Sequence, residues 1–259
     1  MNSRQAQILQ ALEIPVWQLR STRAGAGVES AAGEAAEAAQ NAEIAAAAAS
    51  EVQQPAHAQI SRGAWTESID LARLDWDALQ SAVSACTRCG LCKSRRQTVF
   101  AAGRPGARWM VVGEAPGAEE DQQGEPFVGQ AGKLLDNMLR SVGASRERNV
   151  LIANVLKCRP PGNRNPEPAE VAACAPYLMR QIELAQPEFL LLLGKFAASS
   201  LLHTEGSIAS LRGRIHRVDV AGRSIPAVVS YHPAYLLRQP EEKAKAWADL
   251  KLAVRTMQP

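Results

Sequence analysis

Three polar side chains stand where apolar runs end. Glu114 follows Trp109–Gly113, Asn154 closes Leu151-Ile152-Ala153, and His232 comes just after Ala227–Ser230. A carboxylate can orient a water or face a developing positive charge. An amide presents a donor and an acceptor together, enough to read the polar edge of a planar ring. An imidazole can donate to an oxygen that gains negative charge. Phe127, within Pro126-Phe127-Val128-Gly129, adds a face on which such a ring can stack. The turn Gly113-Glu114-Ala115-Pro116-Gly117 has glycines that let backbone N–H groups approach a ligand closely.

Such side chains need a frame that brings them together. The runs Trp109–Gly113, Val150–Val155, Phe189–Gly194 and Ala227–Ser230 read as buried strands. A short helix at 76–83 precedes them. Helical patterns at 130–142, 167–185 and 195–202 lie between them, and one at 241–256 follows. Strands alternating with helices predict a parallel sheet covered on both faces. Ligands of such sheets sit beyond the carboxyl ends of the strands. The loops after the first, second and fourth strands share that rim, so Glu114, Phe127, Asn154 and His232 should meet there. Ile215–Val220 and Ser224–Val229, around Ala221-Gly222, read as a hairpin feeding the last strand, which makes His216 a hairpin residue.

The five cysteines form a second constellation. In an intracellular chain they read as metal ligands or buried thiols rather than disulfides. Cys86 and Cys89 make a C-x2-C pair, and Cys158 and Cys174 have 15 residues between them. Two such pairs could hold tetrahedral zinc or a [4Fe–4S] cluster, and spacing alone does not decide between them. Cys92 is a further candidate. Either metal would staple the segment before the first strand to the loop beyond the second.

The 259 residues carry a formal net charge of +3, which neither demands nor excludes a nucleic-acid partner. The placement of the cations says more. Arg88, Lys93, Arg95, Arg96 and Arg104 cluster ahead of the first motif, and Arg159, Arg164 and Arg238 fall in loop-like contexts. Residues 1–20 read as a short apolar docking peptide. Residues 21–74 read as a flexible Ala/Glu-rich linker, too poor in large apolar side chains to bury a core. Residues 75–259 read as the globular domain. No apolar run approaches the roughly 20 residues of a transmembrane helix, and Met1–Gln7 lacks the pattern of a secretory signal. The sequence therefore predicts a cytoplasmic monomer with no membrane contact.

The motifs Gly113-Glu114-Ala115-Pro116-Gly117, Pro126-Phe127-Val128-Gly129, Asn154 with Lys157-Cys158-Arg159-Pro160-Pro161, and His232-Pro233-Ala234-Tyr235-Leu236-Leu237-Arg238 resemble family 4 (iron–sulfur) uracil-DNA glycosylase. The resemblance runs from about Cys86 to Trp247. It implies a three-layer α/β sandwich around a central four-stranded parallel sheet, preceded by a disordered N-terminal tether. It also implies a [4Fe–4S] cluster on Cys86, Cys89, Cys158 and Cys174, with Cys92 outside the set. The implied activity is monofunctional: uracil is flipped out of single- or double-stranded DNA and its N-glycosidic bond is hydrolysed, leaving an abasic site for base excision repair.

The resemblance also implies roles. Glu114 orients water or stabilises the sugar cation, and His232 stabilises the departing uracil anion. Backbone around Ala115 and Phe127 frames the pocket. Phe127 stacks on uracil, and Asn154 reads its edge against cytosine. In the best-known uracil glycosylases a Tyr stands at the position of Ala115, so thymine exclusion falls to another group here, with Glu120 the candidate. Leu236 is the expected minor-groove wedge and Arg238 the phosphate contact.

The pattern from Leu9 to Trp17, with Leu19-Arg20, resembles the N-terminal segment of the ψ subunit of the bacterial clamp loader. It implies a replisome contact through residues 8–20 at the end of a tether. Removing residues 1–70 should therefore leave base release from a short oligonucleotide nearly intact. A large loss of activity in that truncation would contradict the tether reading.

Overall fold

The computed structural model describes residues 70–257; the docking peptide and almost all of the predicted linker lie outside the described residues. Five strands form one sheet: β1 (Trp109–Gly113), β2 (Val150–Asn154), β3 (Phe189–Leu193), β4 (Ile215–Val220) and β5 (Arg223–Ser230). Their spatial order is β2-β1-β3-β5-β4. The four predicted strands pair in parallel, with Gly113 opposite Asn154 and Leu193 opposite Ser230. The sequence predicted four strands. The fifth, β4, is the first arm of the predicted hairpin and pairs antiparallel with β5 at the sheet edge. Its turn, Ala221-Gly222, has φ of +48° and +78°. Two successive positive φ values suit the right-handed twist of a tight hairpin.

Side chains alternate across the central strands, and both faces are apolar. Met110, Val112, Leu151, Ala153, Leu190, Leu192, Ala227 and Val229 enter one core. Opposite them lie α4 (Pro168–Ala185) and α5 (Lys195–Leu202), through Leu178, Ile182, Ala197 and Leu201. Trp109, Val111, Val150, Ile152, Phe189, Leu191, Leu193 and Val228 enter the other. There they meet Leu135 and Leu139 of α3 (Gln130–Arg140), and Leu250 and Ala253 of α8 (Lys243–Met257). Each fully buried Leu, Val or Phe contributes about 1.5–3 kcal/mol. Three layers follow from this two-sided burial.

A third apolar cluster holds the segment ahead of the sheet. Leu79 and Val83 of α1 (Trp76–Ser84) pack with Phe100 and Tyr177, and Leu71 and Leu74 join them. Arg180 of α4 donates to the Leu74 carbonyl at 2.6 Å and 3.0 Å. Packing therefore begins a few residues upstream of Asp75, the predicted start of the domain.

Three short helices escaped the sequence reading: α2 (Ala118–Gln123), α6 (Ile208–Leu211) and α7 (Pro233–Arg238). His216 lies in β4, where its Nε2 is 2.6 Å from the Leu211 carbonyl. Among the described residues, no helix is long and apolar enough to cross a membrane.

The end of β5 is tied to α8 by buried polar groups. Ser230 donates to Asp249 at 2.9 Å, and Arg212 reaches both oxygens of the same carboxylate at 2.9 Å and 3.1 Å. Asp249 is fully buried, so its charge is tolerated only because these donors satisfy it. This network fixes the strand end from which His232 departs.

Candidate active site

A cavity of about 390 Å³ opens at the carboxyl ends of β1, β2 and β5. Glu114, Ala115, Glu120, Phe127, Asn154, His232 and Arg238 all line it. Of the side chains singled out for base or DNA contact, only Leu236 lies elsewhere. Its volume is in the range of small-ligand sites.

The floor is built around Gly113, the last residue of β1. A Cβ there would lie 2.6 Å from Phe127 Cζ and would also strike Asn154 Oδ1. The missing side chain is what lets ring and amide share the strand end. Phe127 is held in the left-handed region at φ +57°, a strained conformation for a bulky residue. Several contacts keep it there. Arg146 donates to the Pro126 carbonyl at 3.0 Å and the Phe127 carbonyl at 2.8 Å, and pairs with Asp136 at 2.8 Å. Gly132, early in α3, leaves room for the Phe127 carbonyl, which a Cβ would strike.

Glu120 lines the cavity, but its carboxylate is engaged by the backbone. It accepts from Gly117 N–H at 3.0 Å, Val128 N–H at 3.0 Å and Gly129 N–H at 3.1 Å. It thereby ties the turn after β1 to the loop carrying Phe127. Glu114, at the mouth of that turn, is partly buried, and burial raises its carboxyl above the ordinary Glu value.

Asn154 ends β2 and is 2% exposed. Among the described residues, its buried Oδ1 has no hydrogen-bond partner. Such an atom costs about 1–3 kcal/mol unless something arrives to satisfy it. Val155 N–H donates to the Gly113 carbonyl at 3.0 Å and Leu156 N–H to the Glu114 carbonyl at 3.0 Å, bolting the turn after β2 onto β1.

His232 precedes Pro233 at the N-terminus of α7. Its Nδ1 accepts from Ala234 N–H at 3.2 Å, so the neutral ring carries its proton on Nε2. Burial, helped by Arg238 and opposed by Glu120, depresses its pKa to about 4. Its ring lies 5.4 Å from that of Phe127, tilted by 30°. Gly194, at φ +86°, passes beneath it after β3, where a Cβ would be 3.2 Å from His232 Cβ.

Leu236 requires a correction. The family resemblance makes it the minor-groove wedge, yet it is 1% exposed. Pro233–Arg238 is a helix, so successive side chains point about 100° apart. Leu236 turns inward and lines a small recess with Leu134, Met138 and Leu250, whereas Leu237 turns outward and is 44% exposed. Arg238 is exposed at the cavity rim. Reading the stretch as a loop missed the cap signature of His232 followed by Pro at the first helical position.

The opposite wall of the cavity comes from Pro160, Asn163, Arg164 and Asn165. Arg164 grips buried Glu170 with two bonds, at 2.6 Å and 2.9 Å, which folds this loop back onto α4. The loop runs between Cys158 and Cys174. Those two cysteines, with Cys86, Cys89 and Cys92, line a separate apolar recess walled by Val83, Ala173 and Tyr177. Among the described residues, no three His, Cys, Asp or Glu side chains converge closely enough for a single metal ion.

The sulfurs are met by N–H donors. Arg95 Nη1 lies 3.1 Å from Cys158 Sγ, Lys157 N 3.3 Å from Cys174 Sγ, and Arg88 N 3.5 Å from Cys86 Sγ. Burial raises the thiols of Cys89 and Cys158 and pushes Cys174 up to about 11. Four thiols, N–H···S donors and the three cations Arg88, Arg95 and Lys157 suit a cluster that leaves its thiolate ligands with net negative charge.

Comparison with known proteins agrees with this geometry. A family model described as the uracil DNA glycosylase superfamily matches residues 100–251. The type-4 uracil-DNA glycosylase of Archaeoglobus fulgidus is 41% identical over 179 residues, covering 68% of this chain and 89% of that protein. The type-4 enzyme of Thermotoga maritima is 44% identical over 158 residues, covering 60% and 80%. A type-5 uracil-DNA glycosylase of Pyrobaculum aerophilum is 30% identical over 203 residues, covering 65% and 88%. With strand ends, glycine contacts and cysteine recess on one scaffold, the chain belongs to the uracil-DNA glycosylase superfamily, in its type-4 branch.

Proposed function

We propose that this protein excises uracil from single- or double-stranded DNA by hydrolysing its N-glycosidic bond, the first step of base excision repair. The observation that carries this reading is the partnerless Oδ1 of Asn154, buried beside the Phe127 ring. Uracil offers an N3–H donor next to a carbonyl acceptor, the complement of one amide. Cytosine offers an acceptor and an amino donor at the same places, so the same amide orientation rejects it.

The other residues supply the chemistry. The flipped base stacks on Phe127. As the C1′–N1 bond breaks, its electron pair leaves on the base. The Nε2–H of neutral His232 then donates to the uracil oxygen that gains charge. Glu114 faces the sugar cation, orients the attacking water and takes its proton, and its raised basicity favours that transfer. Among the described residues, no lysine lines the cavity, and strand cleavage through a Schiff base is not part of the scheme. Leu237, exposed on α7, is positioned as the wedge that fills the vacated stack, with Arg238 on the backbone.

Cys86, Cys89, Cys158 and Cys174 are the residues that would hold a [4Fe–4S] cluster, with the donors of Arg95 and Lys157 offsetting its negative charge. The cluster would supply a staple joining the segment before β1 to the loop that walls the cavity. Residues 8–20 are read as a docking peptide for a clamp-loader partner on the likeness of their sequence, so their removal should cost partner binding rather than base release.

Uracil release, followed by alkali to reveal abasic sites, tests the central assignment. Wild type should release the base, and Asn154→Ala should lose about tenfold or more, the scale of a buried hydrogen-bonding pair. Unchanged release by Asn154→Ala would contradict its role. No release by folded wild type would leave a module that only binds DNA.

The pH profile tests His232. With its pKa near 4 instead of the ordinary 6.5, the ring stays neutral throughout the intervening range. The profile of kcat/KM should therefore show no inflection near pH 6.5, and an inflection there would contradict a neutral donor. The unfolded chain takes up this proton between pH 6.5 and 4 while the folded chain does not. That contribution to stability is therefore lost as pH falls through this window.

A further inference from the structure

Lys157 carries a buried ammonium that has no part in the base-release steps above, where only its backbone N–H was assigned, to Cys174. It is 1% exposed and lies on the wall of the cysteine recess rather than in the uracil cavity. Its Nζ donates to the main-chain carbonyl of Asn154 at 2.6 Å. The ionisable groups it senses are Cys174 and Cys158, and among the described residues no carboxylate pairs with it. Its backbone is held from both sides: its N–H points to Cys174 Sγ at 3.3 Å, and its carbonyl accepts from Val99 N–H at 2.8 Å.

Burying an ammonium costs several kcal/mol unless its surroundings compensate. An apolar side chain of equal length would fill the same volume without that cost. The position therefore retains a charge that packing does not require. Among the described residues, its one hydrogen-bond acceptor is the backbone of the residue assigned to read the base. Asn154 needs such a hold, because among the described residues its Oδ1 has no partner to fix the amide before uracil arrives. The four-residue reach from Asn154 to Cys158 thus contains a cross-brace between the cysteine recess and the reading amide.

We infer that Lys157 is a positioning residue for base recognition: from the wall of the cysteine recess its ammonium holds the Asn154 carbonyl and thereby fixes the reading amide in the cavity. The inference rests on the assignment of Asn154 as the uracil reader. It takes the cysteine recess beyond a passive staple, since the brace that stands on it ends at the base.

Lys157→Met keeps length and removes the donor. Full-length wild type, Lys157→Met, Asn154→Ala and the double variant are compared for iron per chain, affinity for free uracil, and kcat/KM on a uracil-containing oligonucleotide. The expected result is retained iron, with free-uracil affinity and kcat/KM falling together by about ten- to a hundredfold, the range for a hydrogen bond to a charged group. In the Asn154→Ala background the same change should add little, the signature of two residues acting as one unit.

Undiminished uracil affinity in Lys157→Met would overturn the inference, as would equal losses in both backgrounds. Lys157→Gln serves as a second, polar replacement. Iron lost in step with activity in both replacements would also overturn the inference and assign Lys157 to metal retention. The two failures separate cleanly. Full activity in Asn154→Ala removes the reading of the site itself, whereas an impaired Asn154→Ala beside an unimpaired Lys157→Met removes only the brace.

Discussion

The close approach at the end of β1 governs this structure. Gly113 has no side chain, and the Phe127 ring and the Asn154 amide occupy the space a Cβ would take. Close packing admits no compromise at such distances, because neighbours on two separate chain segments would have to move together. The surrounding architecture follows from making that approach possible. Phe127 must adopt a left-handed backbone, so Arg146, Gly132 and the Glu120 carboxylate hold its loop from three directions. Asn154 must sit level with Gly113, which the parallel register of β1 and β2 provides.

The same rim receives its other groups from elements with their own anchors. His232 is aimed by the cap of α7 and by the strand end that Ser230, Asp249 and Arg212 fasten to α8. The far wall is a loop closed at both ends by cysteines of one recess and folded back by Arg164 on Glu170. Rigid strands and short, braced loops of this kind suit a reaction that depends on preorganised donors.

Much of this was legible in the sequence, for physical reasons. Apolar runs that stop at a lone polar residue mark strand ends, and the topology of parallel sheets places those ends on one rim. Glu114, Asn154 and His232 were singled out that way and all three line the cavity, and Ala221-Gly222 announced the hairpin. What stayed hidden depended on partners distant in the chain. Arg146 reads as an ordinary loop cation, and nothing local says that it holds carbonyls 19 and 20 residues earlier. Lys157 sits in a recognisable motif, but only burial shows that its ammonium turns back to Asn154. Leu236 and Leu237 are chemically identical, so the fine geometry of one short helix decided which faces the core and which faces outward.

The most direct test of this account is Gly113→Ala. The backbone at this position lies outside the left-handed region, so the strand itself accepts alanine and the added methyl acts through collision alone. The account predicts a folded protein, destabilised by about 1–3 kcal/mol as expected for overpacking, that has lost both binding of free uracil and release of uracil from DNA. Undiminished release by Gly113→Ala would show that Phe127 and Asn154 need not converge over β1, and would contradict the placement of the base-reading site.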